Sequence, residues 1–543
     1  MKSLKVCLKG LSQMIRPLVG RLFISVSIGL VRIASSLAFV WICKRLVDIA
    51  TGVVDAPMGK AIWTMAAIMA VQILGNISYS WWENYLIVRS QNGMRYSVFA
   101  HVLGSRYDGR ERFHSGDTVN RLEEDIRVIV DLMCTRIPDA AVTICQLVAA
   151  SIFLLSLAPT LAWVLIILMV VAVVGSRLFF RKLRRLTGQI READSHVQQH
   201  MQENLQNRLL VLTLVGTARV MARLGGLQKE VLDKTVTRLN YNAIARGFMN
   251  LGFICGYAAA FLWGVFGIRD GSVTYGMMTA FLQLVGQVQR PIAELARHIP
   301  AFIHAMTSVE RIMELDELPA EKKTKDVIMA PALGIKAEDV TFTYEGQSKP
   351  VLEHFSHDFR PGSLTLIAGL TGAGKSTLVK VLMGVLKPAS GVITIYNEKE
   401  SRPAGPDTRI NFMFVPQGNS LLSGTIRENL LLARSDASED ELRNALHTAQ
   451  ADFVFDLPDA MDTRCGEVGS GLSEGQAQRI AIARALLHPG GILILDESTS
   501  ALDAATEKAL LEALHSELKS DKTIIFISHR EAVGDYADSV LTL

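Results

Sequence analysis

Three observations predict an α-helical polytopic membrane domain followed by an α/β domain. The first is a set of six largely apolar runs, at 19–42, 61–82, 137–157, 160–180, 247–268 and 274–296. Each is close to the roughly 20 residues a helix needs to cross a bilayer core. The second is the string GLTGAGKST at 369–377, set between the apolar run LTLIA and a helix-forming stretch. The third is the alternation of short apolar runs with helix-forming segments after about residue 335, the pattern of a parallel sheet. Together they predict a membrane domain over 1–315, a charged linker over 316–334 (DELPAEKKTKDVIMAPALG) and an α/β P-loop NTPase domain over 335–543.

Composition agrees with this division. The 543 residues are 49% hydrophobic, with the apolar excess concentrated in the first part. The net charge of +3 carries no basic footprint for nucleic acid. Six cysteines, Cys7, Cys43, Cys134, Cys145, Cys255 and Cys465, are scattered with no C-x-x-C pair, which argues against a metal site or a disulfide framework. Lys2, Lys5, Lys9 and Arg16 precede the first apolar run, which continues past Trp41 without a small-residue cleavage site. The expectation is a retained anchor.

The loops after spans 1, 3 and 5 are short, whereas those after spans 2 and 4 are long and basic, with Arg89, Arg95, Arg106, Arg110, Arg112, Arg121 and Arg127 in one and Arg177, Arg181, Lys182, Arg184, Arg185 and Arg191 in the other. Positive charge stays on the cytoplasmic side, so both termini, both long loops and the α/β domain are expected there, in a multi-pass protein of the plasma or inner membrane. QIREADSHVQQHMQENLQNRL lacks proline and glycine, so the spans should continue as helices into the cytoplasm. Trp81 and Trp82 are expected in an aromatic belt.

In the α/β domain the glycines of G-x-x-x-x-G-K-S let backbone N–H groups wrap phosphates. Lys375 reaches the β/γ oxygens and the Ser376 hydroxyl can hold Mg²⁺. The helix starting near Lys375 aims its positive end at the same group. GILILD ends in Asp496, placed to contact Mg²⁺ directly or through one of its ligands, and Glu497, placed to polarise an attacking water. Ser473, three residues before Gln476, is a capping box, and a capped helix start is also an anion site. Tyr344 has two readings, a stacking surface for adenine or an ordinary strand aromatic.

These residues, over essentially the whole chain, resemble an exporter-type half-transporter of the ABC superfamily. In that resemblance Gly369, Leu370, Thr371, Gly372, Ala373, Gly374, Lys375, Ser376 and Thr377 are the Walker A loop, and Tyr344 is the adenine-stacking position. Gln417 in FVPQ corresponds to the glutamine that contacts Mg²⁺ and senses the membrane domain. LSEGQ supplies Ser473, Gly475 and Gln476 of the signature. Asp496 and Glu497 match the Walker B pair, SALD ending in Asp503 the D-loop, and His529 the switch histidine on the γ-phosphate. GEVGSG, FHSGDTVNRLEEDI (113–126) and ERIMEL (310–315) resemble further exporter segments. Glu474 departs from the usual glycine. It either perturbs a bound γ-phosphate or points away from it.

The resemblance implies ATP and Mg²⁺ as cofactors, ATP hydrolysis coupled to transport, and a second half-transporter as partner. One chain carries one Walker A loop and one signature, and each nucleotide is sandwiched between the two motifs of different subunits. A homodimer is expected, since the catalytic residues are not degenerate; a heterodimer is the alternative. The expected cargo is an amphipathic small molecule, lipid or peptide moved out of the cytoplasm. The alternatives are import on the same architecture, or an ATPase whose membrane part anchors and senses. In span 6, Gln283, Gln287, Arg290, Glu294, Arg297 and His298 share one helical face, and Arg32 lies mid-way along span 1. They line a translocation cavity or hold helices together, with an Arg290–Glu294 pair in the second case. Pro291 and Pro300 can kink span 6.

Overall fold

The computed structural model describes residues 4–107, 115–330, 332–370, 372–466, 471–518, 521–528 and 530–543. The chain divides into two compact units, one of 1–99 with 119–316, the other of 100–118 with 317–543.

The first unit is helical. An amphipathic α1 (Leu4–Ile15) buries Cys7 and Leu11 and exposes Lys5 and Lys9. A short 3₁₀ turn containing Pro17 separates it from α2 (Val19–Ala50). Then come α3 (Met58–Leu103), α4 (Ser115–Asn120), α5 (Ile126–Asp131), α6 (Ile137–Leu157), α7 (Pro159–Gln206), α8 (Arg208–Thr213), α9 (Thr217–Arg269) and α10 (Tyr275–Asp316). The 46 residues of α3 span about 69 Å at 1.5 Å per residue, over twice a bilayer core. The helix therefore continues well beyond a single bilayer core. Among the described residues, four stretches are long and apolar enough to cross a membrane: Lys5–Ala50, Met58–Leu103, Gly116–Leu157 and Thr217–Arg269. The runs 160–180 and 274–296 fall within α7 and α10.

Two π-helical turns, Arg121–Asp125 and Leu132–Arg136, interrupt the α4–α6 stretch. The first locks to α10. Arg121 Nη1 donates to Glu314 Oε2 at 2.7 Å and to the Arg311 carbonyl at 2.9 Å. Arg311 pairs with buried Asp125 at 3.1 Å, and Ser308 Oγ donates to Asp125 Oδ1 at 2.8 Å. Two segments 190 residues apart, RLEED and ERIMEL, thus form one junction.

Trp81 is exposed and stacks on Tyr85 at 5.4 Å, as a belt residue would, but Trp82 turns inward and donates to Ser25 Oγ at 3.1 Å. On α10, Gln287 donates to Ser36 Oγ of α2 at 3.0 Å. Arg290 and Glu294 are exposed and form no ion pair with each other among the described residues.

The second unit holds two main sheets. The antiparallel one has order β2-β1-β4-β5, from β1 (Gly334–Phe342), β2 (Leu352–Phe359), β4 (Ser390–Tyr396) and β5 (Ser401–Pro403). The parallel one has order β11-β3-β10-β9-β6, from β3 (Leu364–Ala368), β6 (Phe412–Val415), β9 (Ile492–Asp496), β10 (Thr523–Ile527) and β11 (Ser539–Thr542). A two-residue pair, β7 (Gly424–Thr425) with β8 (Arg464–Cys465), completes the strands. β9 and β10 are buried at every position, as near-continuous apolar runs in a parallel sheet should be. The helices are α11 (Lys375–Leu382), α12 (Ile426–Leu431), α13 (Glu439–Thr448), α14 (Glu474–Leu487) and α15 (Ala504–Leu518).

The stretch 317–333 is stitched along this unit. Thr324 bonds Asp407 through backbone and side chain, Met329 N donates to Asn411 Oδ1 at 2.8 Å, and Leu333 is fully buried. Arg409 donates to both oxygens of Glu321, at 2.9 and 2.7 Å, and this holds the Glu321 carboxyl below the usual carboxylate range. Such a depressed group contributes stability above its unfolded pKa of about 4.3 and loses it as pH falls through the folded value. Arg409→Met is expected to destabilise this unit by about 1 kcal/mol at neutral pH. In thermal unfolding the gap to wild type should narrow below about pH 4. A gap of the same size at both pH values would contradict the ion-pair account.

Candidate nucleotide site

The site begins where β3 ends. Gly369, Gly372 and Gly374 take φ values of 154°, 91° and 96°, in the region that L side chains avoid. A Cβ at Gly374 would lie 2.9 Å from Val351, and one at Gly369 would lie 2.7 Å from the Leu543 carbonyl oxygen. The loop therefore needs glycine for both conformation and space. Leu370 points outward, and Ala373 N donates to the Leu370 carbonyl at 3.1 Å. Lys375 is buried, with Nζ donating to the carbonyls of Gly369 at 2.7 Å and Leu370 at 3.3 Å. Thr371 lies outside the described residues.

Parallel pairing carries the carboxylates to the same edge. β10 lies between β3 and β9, with Ile527 opposite both Ile367 and Asp496. Asp496 is buried, with the Ser376 hydroxyl beside it. Burial pushes its carboxyl above the ordinary range, while the Ser376 hydroxyl and the charges of Lys375 and Lys380 act in the opposite direction. Glu497 has φ 49°, a costly conformation for a side-chain-bearing residue, held by its N–H bond to the Ile527 carbonyl at 3.0 Å. Gln417 Nε2 donates to Glu497 Oε2 at 2.7 Å, which joins the end of β6 to the end of β9. His529 lies outside the described residues.

Tyr344 sits two residues beyond β1, not within the strand. Its hydroxyl bonds Thr377 Oγ1 at 2.9 Å and its ring meets Phe342 edge-on at 4.9 Å, so the ring is tethered to the first turn of α11.

The 473–476 turn is a separate construction. Ser473 caps α14: Gln476 N donates to Ser473 Oγ at 3.2 Å, and Ser473 N donates to the Gln476 side chain at 2.9 Å. Glu474 is the first helical residue and is exposed. A Cβ on Gly475 would lie 2.8 Å from the Ala501 carbonyl oxygen, so glycine here permits the approach of the 499–503 loop. Asp503 caps α15 through Ala505 N, Thr506 N and Thr506 Oγ1, bonds that hold its carboxyl below the ordinary range. No hydrogen bond among the described residues joins the 473–476 turn to the 369–377 loop. Of the segment GEVGSG, residues 467–470 lie outside the described residues, as do Phe113 and His114 of the earlier segment.

Residues 22–292 match the ABC transporter transmembrane region family, and residues 352–500 match the ABC transporter family. The chain belongs to the ABC transporter superfamily, exporter type. It is an ATPase whose hydrolysis is coupled to transport. The ATP-dependent lipid A-core flippase of Vibrio cholerae is 29% identical over 458 residues, covering 83% of this chain and 78% of that protein. A fatty acid ABC transporter ATP-binding/permease protein of Mycobacterium bovis is 29% identical over 441 residues, covering 81% and 69%. The structure of a bacterial Atm1-family ABC exporter with ATP bound superposes with TM-score 0.79 at 24% identity, covering 97% of this chain and 93% of that one. These relatives favour export over import or a sensing-only role.

Two residues that sequence reasoning passed over hold the transporter's 499–503 loop. Gln478, buried on α14, donates to Ser500 Oγ at 3.2 Å and accepts from Ala501 N at 3.2 Å. Arg530 donates to the carbonyls of Leu502 at 3.0 Å and Ser500 at 2.7 Å, and pairs with buried Glu507 at 2.8 Å. The only signal for either was its position beside a motif residue. Arg530→Met leaves a carboxylate buried alone and is expected to cost about 2 kcal/mol in denaturant unfolding. Adding Glu507→Leu should recover most of that loss. A double variant as unstable as the sum of the two single variants would rule out the pairing.

Proposed function

We propose that two copies of this chain form an exporter that binds two ATP molecules at their interface and moves an amphipathic molecule out of the cytoplasm. The observation that carries this reading is the division of the catalytic set within one chain. Lys375, Ser376, Gln417, Asp496 and Glu497 converge at one sheet edge, while Ser473 caps α14 and Gly475 packs on the 499–503 loop instead. A second copy supplies the missing half of each site. Exposed apolar side chains on and just after α8, namely Leu209, Leu210, Leu212, Leu214 and Val215, support an association that covers them.

Within each site the backbone N–H groups of Gly372 to Ser376 and the start of α11 cradle the phosphates. Lys375 exchanges its loop carbonyls for phosphate oxygens. Ser376, Asp496 and Gln417 would hold Mg²⁺ through oxygen, a reading supported by the buried Asp496 carboxyl beside the Ser376 hydroxyl. Bound there, the ion would supply charge neutralisation to the phosphates. Glu497, oriented by Gln417, accepts the proton of the attacking water. Tyr344 stacks on adenine, Asp503 links the two sites, and His529 contacts the γ-phosphate. ATP favours the closed dimer and the outward-facing spans, and hydrolysis resets them. Six spans with cytoplasmic termini, a membrane domain over 1–315 and an ATPase domain over 335–543 complete the reading.

Glu497→Gln is expected to leave ATP binding intact, lower steady-state turnover by at least about 100-fold and accumulate an ATP-bound dimer. Unchanged turnover in that variant would remove Glu497 from the role of base. Native mass measurement should give twice the 59.5 kDa chain. A second chain of different mass would replace the homodimer with a heterodimer.

A further inference from the structure

Arg32 breaks the rule that a charge within a bilayer is paired. Its guanidinium carbon lies 4.6 Å from the centre of the Tyr79 ring, while the Tyr79 hydroxyl is committed to Asp139 Oδ1 at 2.5 Å. Arg32 forms no ion pair among the described residues, and its Nε is buried with no hydrogen-bond partner. A cation–π contact is worth about 0.5–2 kcal/mol, whereas desolvating a charge costs several kcal/mol. Glu83 lies within electrostatic range of Arg32 without an ion pair to it, so the described residues compensate this cation at a distance and not by contact.

The surrounding cleft shows what would complete it. Between α2, α3 and α6 lies a cavity of about 220 Å³ lined by Arg32, Ser36, Gln72, Asn76 and Gln146 among others. Its described lining holds one cation, amides and hydroxyls, and no carboxylate. Gln72 already donates to the Ser35 carbonyl at 3.0 Å, and Gln287 to Ser36. Asn76 and Gln146 have no side-chain hydrogen bond among the described residues, so their donors are available. At its floor α2 and α6 are in tight contact, since a Cβ on Gly29 would lie 2.4 Å from Val142. The volume is below the roughly 300 Å³ at which whole small-molecule sites begin, so it suits a headgroup and not an entire amphipath. Beside Asn76, α3 exposes Ile73, Leu74 and Ile77, an apolar surface along which a tail can lie.

We infer that this cleft is a subsite for the anionic headgroup, phosphate or carboxylate, of an amphipathic molecule, with Arg32 as counter-ion and Asn76 and Gln146 as neutral donors. This inference rests on the transport reading above and names the chemistry of its cargo. The test uses the intact transporter in nanodiscs of neutral lipid. ATP hydrolysis is titrated with dodecyl phosphate, with uncharged dodecanol and with inorganic phosphate, each response being read against that variant's own basal rate. Dodecyl phosphate is expected to change the rate, with a half-maximal concentration about tenfold higher in Arg32→Gln and largely restored in Arg32→Lys. The dodecanol response should be the same in all three proteins. Insensitivity to inorganic phosphate assigns the headgroup to an amphipath, and competition by it assigns a free anion to the same counter-ion. Identical dodecyl phosphate titrations in wild type and Arg32→Gln would overturn the inference, as would a wild type that hydrolyses ATP but ignores dodecyl phosphate. A wild type that hydrolyses no ATP would instead be a failure of the transport reading.

Discussion

The placement of β10 between β3 and β9 is the constraint on which the nucleotide site depends. Parallel strands in register bring their carboxyl ends to one edge, where open α/β sheets bind ligands. Because Ile527 lies opposite Ile367 on one side and Asp496 on the other, the loop after β3 and the carboxylates after β9 emerge at the same height. The Ser376–Asp496 and Gln417–Glu497 contacts follow from that register. A slip of one residue would turn the side chains of β9 to the opposite face. The buried strands prevent such a slip, since every position of β9 and β10 is packed.

The second half of the chemistry uses different forces. Ser473 is held by a capping box, and Gly475 admits the 499–503 loop because it has no Cβ. Gln478 and Arg530 then fix that loop by hydrogen bonds from two directions. Asp503, which the resemblance places in the D-loop, is engaged in capping α15. Its carboxylate is thereby held rigidly at the start of that helix. A residue can serve a helix cap and still present its loop to a partner.

In the membrane domain the polar residues divide by depth. Near the C-terminal end of α10, Arg121, Asp125, Arg311 and Glu314 satisfy one another across two helical segments. Elsewhere in the bundle, Gln287 donates to Ser36, and Arg32 lies over the Tyr79 ring with Glu83 within electrostatic range but not in an ion pair. The Arg290–Glu294 pair that the helix-holding alternative offered does not form among the described residues. Its members are exposed, so helix cohesion at that level comes from other contacts, including buried Phe281, Leu284 and Val288.

The sequence by itself determined the elements and the chemistry of their ends. Apolar length marked the membrane helices, and glycine spacing marked the phosphate loop. The pair Asp496–Glu497 after four apolar residues marked the end of a buried strand. These are local signals, each readable because a bilayer, a left-handed turn or a buried parallel strand restricts residue type over a few positions. Only the tertiary structure decided which distant residues meet. It brought Gln417 onto Glu497, Tyr344 onto Thr377, Arg530 onto Glu507 and Arg121 onto Glu314, contacts spanning 23 to 193 residues. It also left Arg32 facing a polar cleft and turned Trp82 inward while Trp81 faces out. Such pairings depend on strand order and helix rotation, which are set by the packing of the whole fold and leave no periodic trace in the chain.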